Sequence, residues 1–237
     1  MKTYTHLVFD IDGTLLNTEM AVLHSLQWAL KRQGIELPLD QLRFALGIPG
    51  TDALKRFPLV HPDQVLREWD AKYTEFLDEI TVFEGIPELL KTLRDHGIAL
   101  GVITSKTQIE LAQDFGALGL VEYFSVIVTA DDTVQHKPDA EPMLHYLMRS
   151  GASAAETVYI GDADYDLQCA LRAGCDCALA QWGRTDKPNT TPTWILKQVE
   201  DCLLYTSDPV KFFVGDHVPR VAGIRIGGHV SDHAAHF

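Results

Sequence analysis

Two aspartates stand two residues apart in Asp10-Ile11-Asp12-Gly13-Thr14-Leu15, directly after the apolar run Leu7-Val8-Phe9. Side chains at i and i+2 leave an extended strand on the same side, so the two carboxylates emerge together. Paired carboxylates repel unless a shared proton or a cation relieves them. A magnesium ion does so naturally, because it takes oxygen from one or two carboxylates and fills the rest of its shell with water and phosphate oxygens. Gly13 then lets the chain turn sharply or lets a ligand approach the backbone. Taken alone, the motif also reads as a turn with an Asp cap.

Three further groups suit the same chemistry. Thr104-Ser105 closes a second apolar run, where a hydroxyl and backbone N–H groups at a helix start can hold a phosphate oxygen. Lys137-Pro138 follows a third run, and Gly161-Asp162-Ala163-Asp164-Tyr165-Asp166 ends a fourth. Each has an ordinary alternative: Thr and Ser are default helix caps, a loop lysine is usually a surface group, and acids in a first helical turn complement the helix dipole.

These groups need elements to position them. Apolar runs at residues 6–11, 99–104, 125–130, 157–162 and 175–180 alternate with helical patterns at about 86–96, 107–118, 141–149 and 163–173. Such alternation predicts a three-layer, Rossmann-like α/β core with a five-stranded parallel sheet, buried on both faces, in which sequence-adjacent strands are mostly neighbours. Ligands of such sheets bind beyond the carboxyl ends of the strands. All four motifs fall at a strand's carboxyl end, so the fold would bring them to one site.

One stretch breaks the alternation. From about residue 16 to residue 80 only helical patterns occur. One covers 19–32, with Leu23, Leu26, Gln27 and Leu30 in register; another covers 61–80, where Val65, Leu66, Trp69, Tyr73, Phe76, Leu77 and Ile80 form one apolar stripe. The length predicts a small helical bundle rather than a plain cover for the sheet. The expected division is a core of residues 1–15 and 82–204, an all-helical insert at 16–81, and a C-terminal extension at 207–237. That extension has no clear period and reads as an added hairpin, a tail or an artificial remnant. Hinges are expected near residues 15–18 and 80–85.

With all four motifs present and in order, the chain over about residues 4–204 resembles the haloacid dehalogenase superfamily, and within it the phosphatases with a helical cap inserted after the first motif. It looks most like the phosphoglycolate phosphatase and pyrophosphatase branch. The resemblance implies a magnesium-dependent phosphatase that works through an aspartyl-phosphate. Carried over position by position, it makes Asp10 the nucleophile, and Asp12 the acid and base whose main-chain carbonyl helps hold the metal. Thr104, with Ser105, would bind the phosphoryl group, and Lys137 would neutralise its charge. Asp10, Asp12 and Asp162 would hold magnesium, and Asp166 would bind a metal-bound water or brace Lys137. Substrate choice would fall to the insert, through the turn-rich loop 43–56 with Arg43, Gly47, Thr51 and Lys55. Its cations could meet a carboxylate or second phosphate, or could be solvated helix charges.

Related chemistries remain open. A sugar-phosphate mutase would share Asp10 and Asp12, but the mutases this chain resembles usually carry Glu-Asp where Gly161-Asp162 stands. Metal-free dehalogenases of the superfamily lack the second acid of the first motif, which is present here as Asp12. A non-catalytic binding protein on the same fold is the third alternative.

Composition narrows the partners. A net charge of −13 argues against a nucleic-acid surface but not against a small phosphorylated metabolite, which a cation and a few local positive charges can hold. No apolar run approaches the ~20 residues that span a bilayer, and the N-terminal residues lack the pattern of a signal peptide, so the expected location is the cytoplasm and no membrane contact is expected. The four cysteines suit neither a disulfide framework nor a zinc site, and Cys175 and Cys177 read as small hydrophobes on a strand.

Overall fold

A computed structural model describes residues 4–183 and 188–205. The expected extension at 207–237 lies outside the described residues. The core strands are β1 (His6–Phe9), β4 (Ala99–Ile103), β5 (Val126–Val128), β6 (Thr157–Gly161), β7 (Asp176–Ala180) and β8 (Trp194–Leu196), and two short strands, β2 (Leu16–Asn17) and β3 (Thr81–Val82), form a separate ribbon. The helices are α1 (Glu19–Arg32), α2 (Gly50–Leu54), α3 (Pro62–Tyr73), α4 (Ile86–Asp95), α5 (Gln108–Gln113), α6 (Glu141–Ser150) and α7 (Asp164–Arg172).

The six core strands make one parallel sheet in the order β5-β4-β1-β6-β7-β8. β1 is central. The chain adds β4 and β5 on one side of it, then crosses to add β6, β7 and β8 on the other. The change of direction at β1 opens a crevice at the carboxyl ends of β1, β4 and β6. Successive residues of each strand serve opposite faces. Leu7, Phe9, Leu100, Val102, Val158 and Ile160 pack with Leu89, Leu90 and Leu93 of α4. Val8, Ile103, Tyr159, Cys177 and Leu179 pack on the other face with Met143, Tyr146, Leu167 and Ala170 of α6 and α7. Gly101 faces the Tyr146 ring, and a Cβ there would collide with it.

The expected parallel α/β architecture is present, with six strands rather than five. The sixth, β8, has three residues and lies at the sheet edge beside β7, too short to show a period of its own. Its Trp194 indole N–H donates to the Tyr4 hydroxyl at 2.7 Å, a contact between the two ends of the described chain.

The insert is helical except at its two ends. There β2 and β3 pair antiparallel, Leu16 with Val82 and Asn17 with Thr81, so the chain enters and leaves side by side. Leu23, Leu26 and Leu30 of α1 meet Val65 and Trp69 of α3 in a cluster of the insert's own. The Trp69 indole N–H donates to Ser25 Oγ at 3.0 Å, joining the two helices through a buried polar pair. The expected single helix over 61–80 is instead α3 followed by a tighter 3₁₀ segment, Thr74–Glu79. The break re-aims the apolar stripe: Val65 and Trp69 belong to the insert's cluster, whereas Tyr73, Phe76, Leu77 and Ile80 pack on the main core. None of the described helices is long and apolar enough to cross a membrane.

Candidate functional site

The carboxyl end of β1 delivers Asp10. Its N–H donates to Ile160 O at 2.9 Å, which extends the β1–β6 pairing one residue past the strand. The Asp10 carboxylate is buried: Oδ1 accepts from Lys137 Nζ at 2.9 Å, and Oδ2 has no hydrogen-bond partner. Lys137, on the segment between β5 and α6, also donates to Asp166 Oδ1 at 2.7 Å. Asp166 sits in the first turn of α7, where its Oδ2 accepts from Ala163 N–H at 3.0 Å. Below the pair, the Tyr159 hydroxyl lies 3.3 Å from Lys137 Nζ and donates to Ile103 O at 2.8 Å.

Glycines make room for this crowding. A Cβ on Gly161 would strike the Asp166 carboxylate, one on Gly13 would strike that of Asp162, and one on Gly183 would strike the Gly13 carbonyl. Gly13 also holds a φ of +79°, which a side chain would strain.

Carboxylate oxygens of Asp10, Asp162 and Asp166 lie within 4.8 Å of one another. Three buried acids with one lysine among them are short of positive charge. Burial pushes Asp10 up to about 7, against the pull of Lys137 and with the repulsion of Asp166 and Asp12 added. Burial works against the Lys137 charge too, but Asp10 and Asp166 more than offset it and hold the ammonium well above its usual range. A divalent cation fits the donor set: the oxygens are hard, closely grouped and buried, and Asp10 Oδ2 has an unused lone pair.

Asp12 stands apart from that cluster. Its Oδ1 accepts from the Thr18 hydroxyl at 2.6 Å and lies 3.1 Å from Lys106 Nζ. The Thr104 hydroxyl, at the end of β4, accepts from Lys106 N–H at 3.2 Å, which leaves its own proton to donate. Ser105 instead donates to the Gly47 carbonyl of the insert at 3.0 Å. Gly47 thus lies against the core, and a Cβ on it would meet the Ala163 side chain at 3.3 Å.

A cavity of about 70 Å³ opens beside Asp12 between core and insert. Ser105 and Lys106 line it from the core, and Gly47, Ile48, Trp69 and Tyr73 line it from the insert. Half-buried Asp70 also faces it, and burial with the nearby Glu110 charge pushes that carboxyl up to about 6.

The structure therefore gathers Asp10, Lys137, Asp162 and Asp166 into one cluster, sets Asp12 against the Lys106 ammonium and Thr104 against the Lys106 main-chain N–H, and brings Gly47 against Ser105 and Ala163. It does not bring the other three insert candidates to this cavity. Arg43 grips both carboxylate oxygens of Glu19, and Thr51 and Lys55 line a different depression, where Lys55 pairs with Asp52 at 2.6 Å. Lys106, which directly follows Thr104-Ser105, is not among the residues that the sequence singles out. Its nearness to a strand end was the available signal, but a lysine opening a loop reads as a surface group.

The sequence model described as haloacid dehalogenase-like hydrolase matches residues 7–180. A pyrophosphatase PpaX from Bacillus pumilus is 30% identical over 213 residues, spanning 85% of this chain and 96% of that protein. A phosphoglycolate phosphatase from Yersinia pseudotuberculosis is 29% identical over 192 residues, 77% of this chain and 83% of that one. Among solved structures, a hydrolase from Pseudomonas syringae superposes with a TM-score of 0.76 at 25% identity, covering 84% of this chain and 96% of that chain.

Proposed function

Because this chain belongs to the haloacid dehalogenase-like hydrolases, we propose that it is a magnesium-dependent phosphatase of small phosphate monoesters, similar to phosphoglycolate phosphatase and acting in the cytoplasm. The observation that carries this reading is the buried Asp10–Lys137–Asp166 chain at the end of the central strand, with Asp12 held separately beside a small cavity.

In this reading an Asp10 carboxylate oxygen attacks phosphorus and becomes the acyl oxygen of an aspartyl-phosphate. Asp12 gives a proton to the leaving oxygen, then takes one from the water that hydrolyses the intermediate. Thr104 donates its hydroxyl proton to a phosphoryl oxygen. Lys137 offsets the charge of Asp10 and of the phosphoryl group, and Asp166 and Tyr159 keep its ammonium in place. Asp10, Asp162 and the main-chain carbonyl of Asp12 would hold magnesium, which supplies positive charge where phosphoryl transfer most needs it. The insert acts as a cap: Gly47 and the α3 face close the cavity and exclude water, and the β2–β3 ribbon is where the closing motion is absorbed.

The test is phosphate release from phosphoglycolate, pyrophosphate, sugar phosphates, nucleotides and an aryl phosphate, with and without magnesium. Magnesium-dependent release, highest in kcat/KM on a small monoester, is the expected result. Sugar-phosphate isomerisation without free phosphate would replace the reading with a mutase.

The cation has a second signature. Asp10 is raised in the folded protein to about 7 from an ordinary 3.8, so its contribution to stability is full below about 3.8 and is lost as pH rises towards 7. Above that window the metal-free fold carries an ionised, repelled carboxylate, which a divalent cation relieves. Magnesium should therefore raise the thermal midpoint more at pH 8 than at pH 5, where the ion must displace a proton. Melts at the two pH values check this, and equal shifts would count against Asp10 as a ligand.

A further inference from the structure

Lys106 is a buried ammonium that the proposed chemistry leaves without a task. It is 8% exposed and meets three groups: Asp114 Oδ2 at 2.8 Å, Asp12 Oδ1 at 3.1 Å and the Tyr73 hydroxyl at 3.4 Å. Asp114, in the turn after α5, is buried as well. Its Oδ1 accepts from Phe115 N–H, and its Oδ2 accepts from the Tyr73 hydroxyl at 2.7 Å. Tyr73 is the last residue of α3 and so belongs to the insert, whereas Lys106 and Asp114 belong to the core. One buried chain of contacts therefore runs from the insert to Asp12: Tyr73, Asp114, Lys106, Asp12.

The two oxygens of Asp12 are treated differently. Oδ1 is occupied by the Thr18 hydroxyl and the Lys106 ammonium, both donors, and an oxygen flanked by two donors is a poor place for a proton. That leaves Oδ2 to carry it. Lys106 has nowhere else to go, because an ammonium in this setting must stay with its carboxylates or be buried unpaired. Its place is fixed in turn by Asp114, and the Tyr73 hydroxyl completes the Asp114 oxygen that Lys106 shares.

We propose that Lys106 is a positioning residue for Asp12: with Thr18 it holds Oδ1, so that Oδ2 presents the proton to the leaving oxygen, and Tyr73 sets it only when the cap is seated. This rests on the phosphatase reading. In the step concerned, an Asp10 oxygen bonds to phosphorus while the ester P–O bond breaks. The bonding pair goes to the leaving oxygen, and the Asp12 proton joins it to give a neutral alcohol and an Asp12 carboxylate.

A loss of proton delivery differs from a general loss of structure in its dependence on the leaving group. Acetyl phosphate and ethyl phosphate are close in size, but acetate departs without a proton and ethoxide does not. kcat/KM covers the steps through release of the leaving group, so hydrolysis of the intermediate does not enter. Lys106→Met should lower kcat/KM on ethyl phosphate ~10- to 100-fold more than on acetyl phosphate, a partial loss of the ~10²- to 10⁴-fold that a general acid supplies. Tyr73→Phe, which removes one hydroxyl, should show the same selective loss to a smaller degree. Because the two act through one chain, the double variant should lose no more than Lys106→Met alone. Equal losses on both substrates, no loss, or additive losses would overturn the proposal. If Lys106→Met fails to give a cooperative melt, Tyr73→Phe decides by the same criterion. If the unaltered protein releases phosphate from neither compound nor from any of the substrates named above, the phosphatase reading falls and this role with it; if it hydrolyses both and the variants are not selective, only the role of Lys106 falls.

Discussion

Asp10→Asn should reduce magnesium-dependent phosphate release by about 10⁴-fold or more, the scale seen when a nucleophile that works in a concerted group is removed. Asparagine keeps the shape but offers a weak nucleophile, and no aspartyl-phosphate can form. The same change should not destabilise the metal-free fold. It removes one of three buried carboxylates that lie within 4.8 Å of one another, and it replaces a group whose ionised form burial disfavours. The magnesium-induced rise in thermal midpoint should shrink, because a charged ligand is gone. Phosphate release and melts with and without magnesium, on one protein preparation, separate these effects. Activity retained within tenfold would remove Asp10 from the chemistry, and a large fall in the metal-free midpoint would mean that its role is structural.

Lys137→Met should damage both function and fold. The ammonium sits between Asp10 and Asp166 at 2.9 and 2.7 Å, with both carboxylates almost wholly inaccessible. Removing one partner of a buried ion pair leaves uncompensated charge and typically costs about 3–5 kcal/mol. The transferring phosphoryl group also loses a preorganised positive charge, for which a fall of about 10²–10³ in kcat is the usual scale. Urea unfolding and steady-state kinetics measure the two losses. Adding Asp166→Asn to Lys137→Met should recover part of the stability, because one stranded carboxylate is neutralised, and should recover none of the activity. Recovery of activity in the double variant would mean that Lys137 serves the fold alone.

The core of this arrangement was legible because its signals are local. Asp10 and Asp12 follow an apolar run, Asp162 and Asp166 straddle the start of a helix, and alternating strands and helices place those ends together. Where contacts depend on three-dimensional pairing, the sequence was silent or misleading. Arg43 looks like a free cation in the chain, yet a glutamate 24 positions earlier holds it. Lys106 looks like a loop lysine, yet partners from three separate segments bury it. The stripe from Val65 to Ile80 has an unbroken helical period, but it serves two hydrophobic clusters, and the chain tightens at Thr74–Glu79 to reach the second. β8 escaped because three edge residues carry no period.

The central place of β1 has a consequence for how the protein is made. His6 pairs with Ala99 on one side and with Thr157 on the other, so β1, the earliest of the described strands in the sequence, has neither neighbour available when it emerges from the ribosome. The insert is contiguous in sequence and can assemble from its own cluster in the meantime. β1 must wait until β6 has been synthesised, and such distant pairings are slow to form because a long loop must close first. The strand that carries Asp10 thus keeps one edge open until β6 has been made, and Asp10 can meet both Lys137 and Asp166 only after that. Chains that terminate before residue 157 would hold Leu7-Val8-Phe9 with an open strand edge, which is a template for intermolecular pairing rather than for activity.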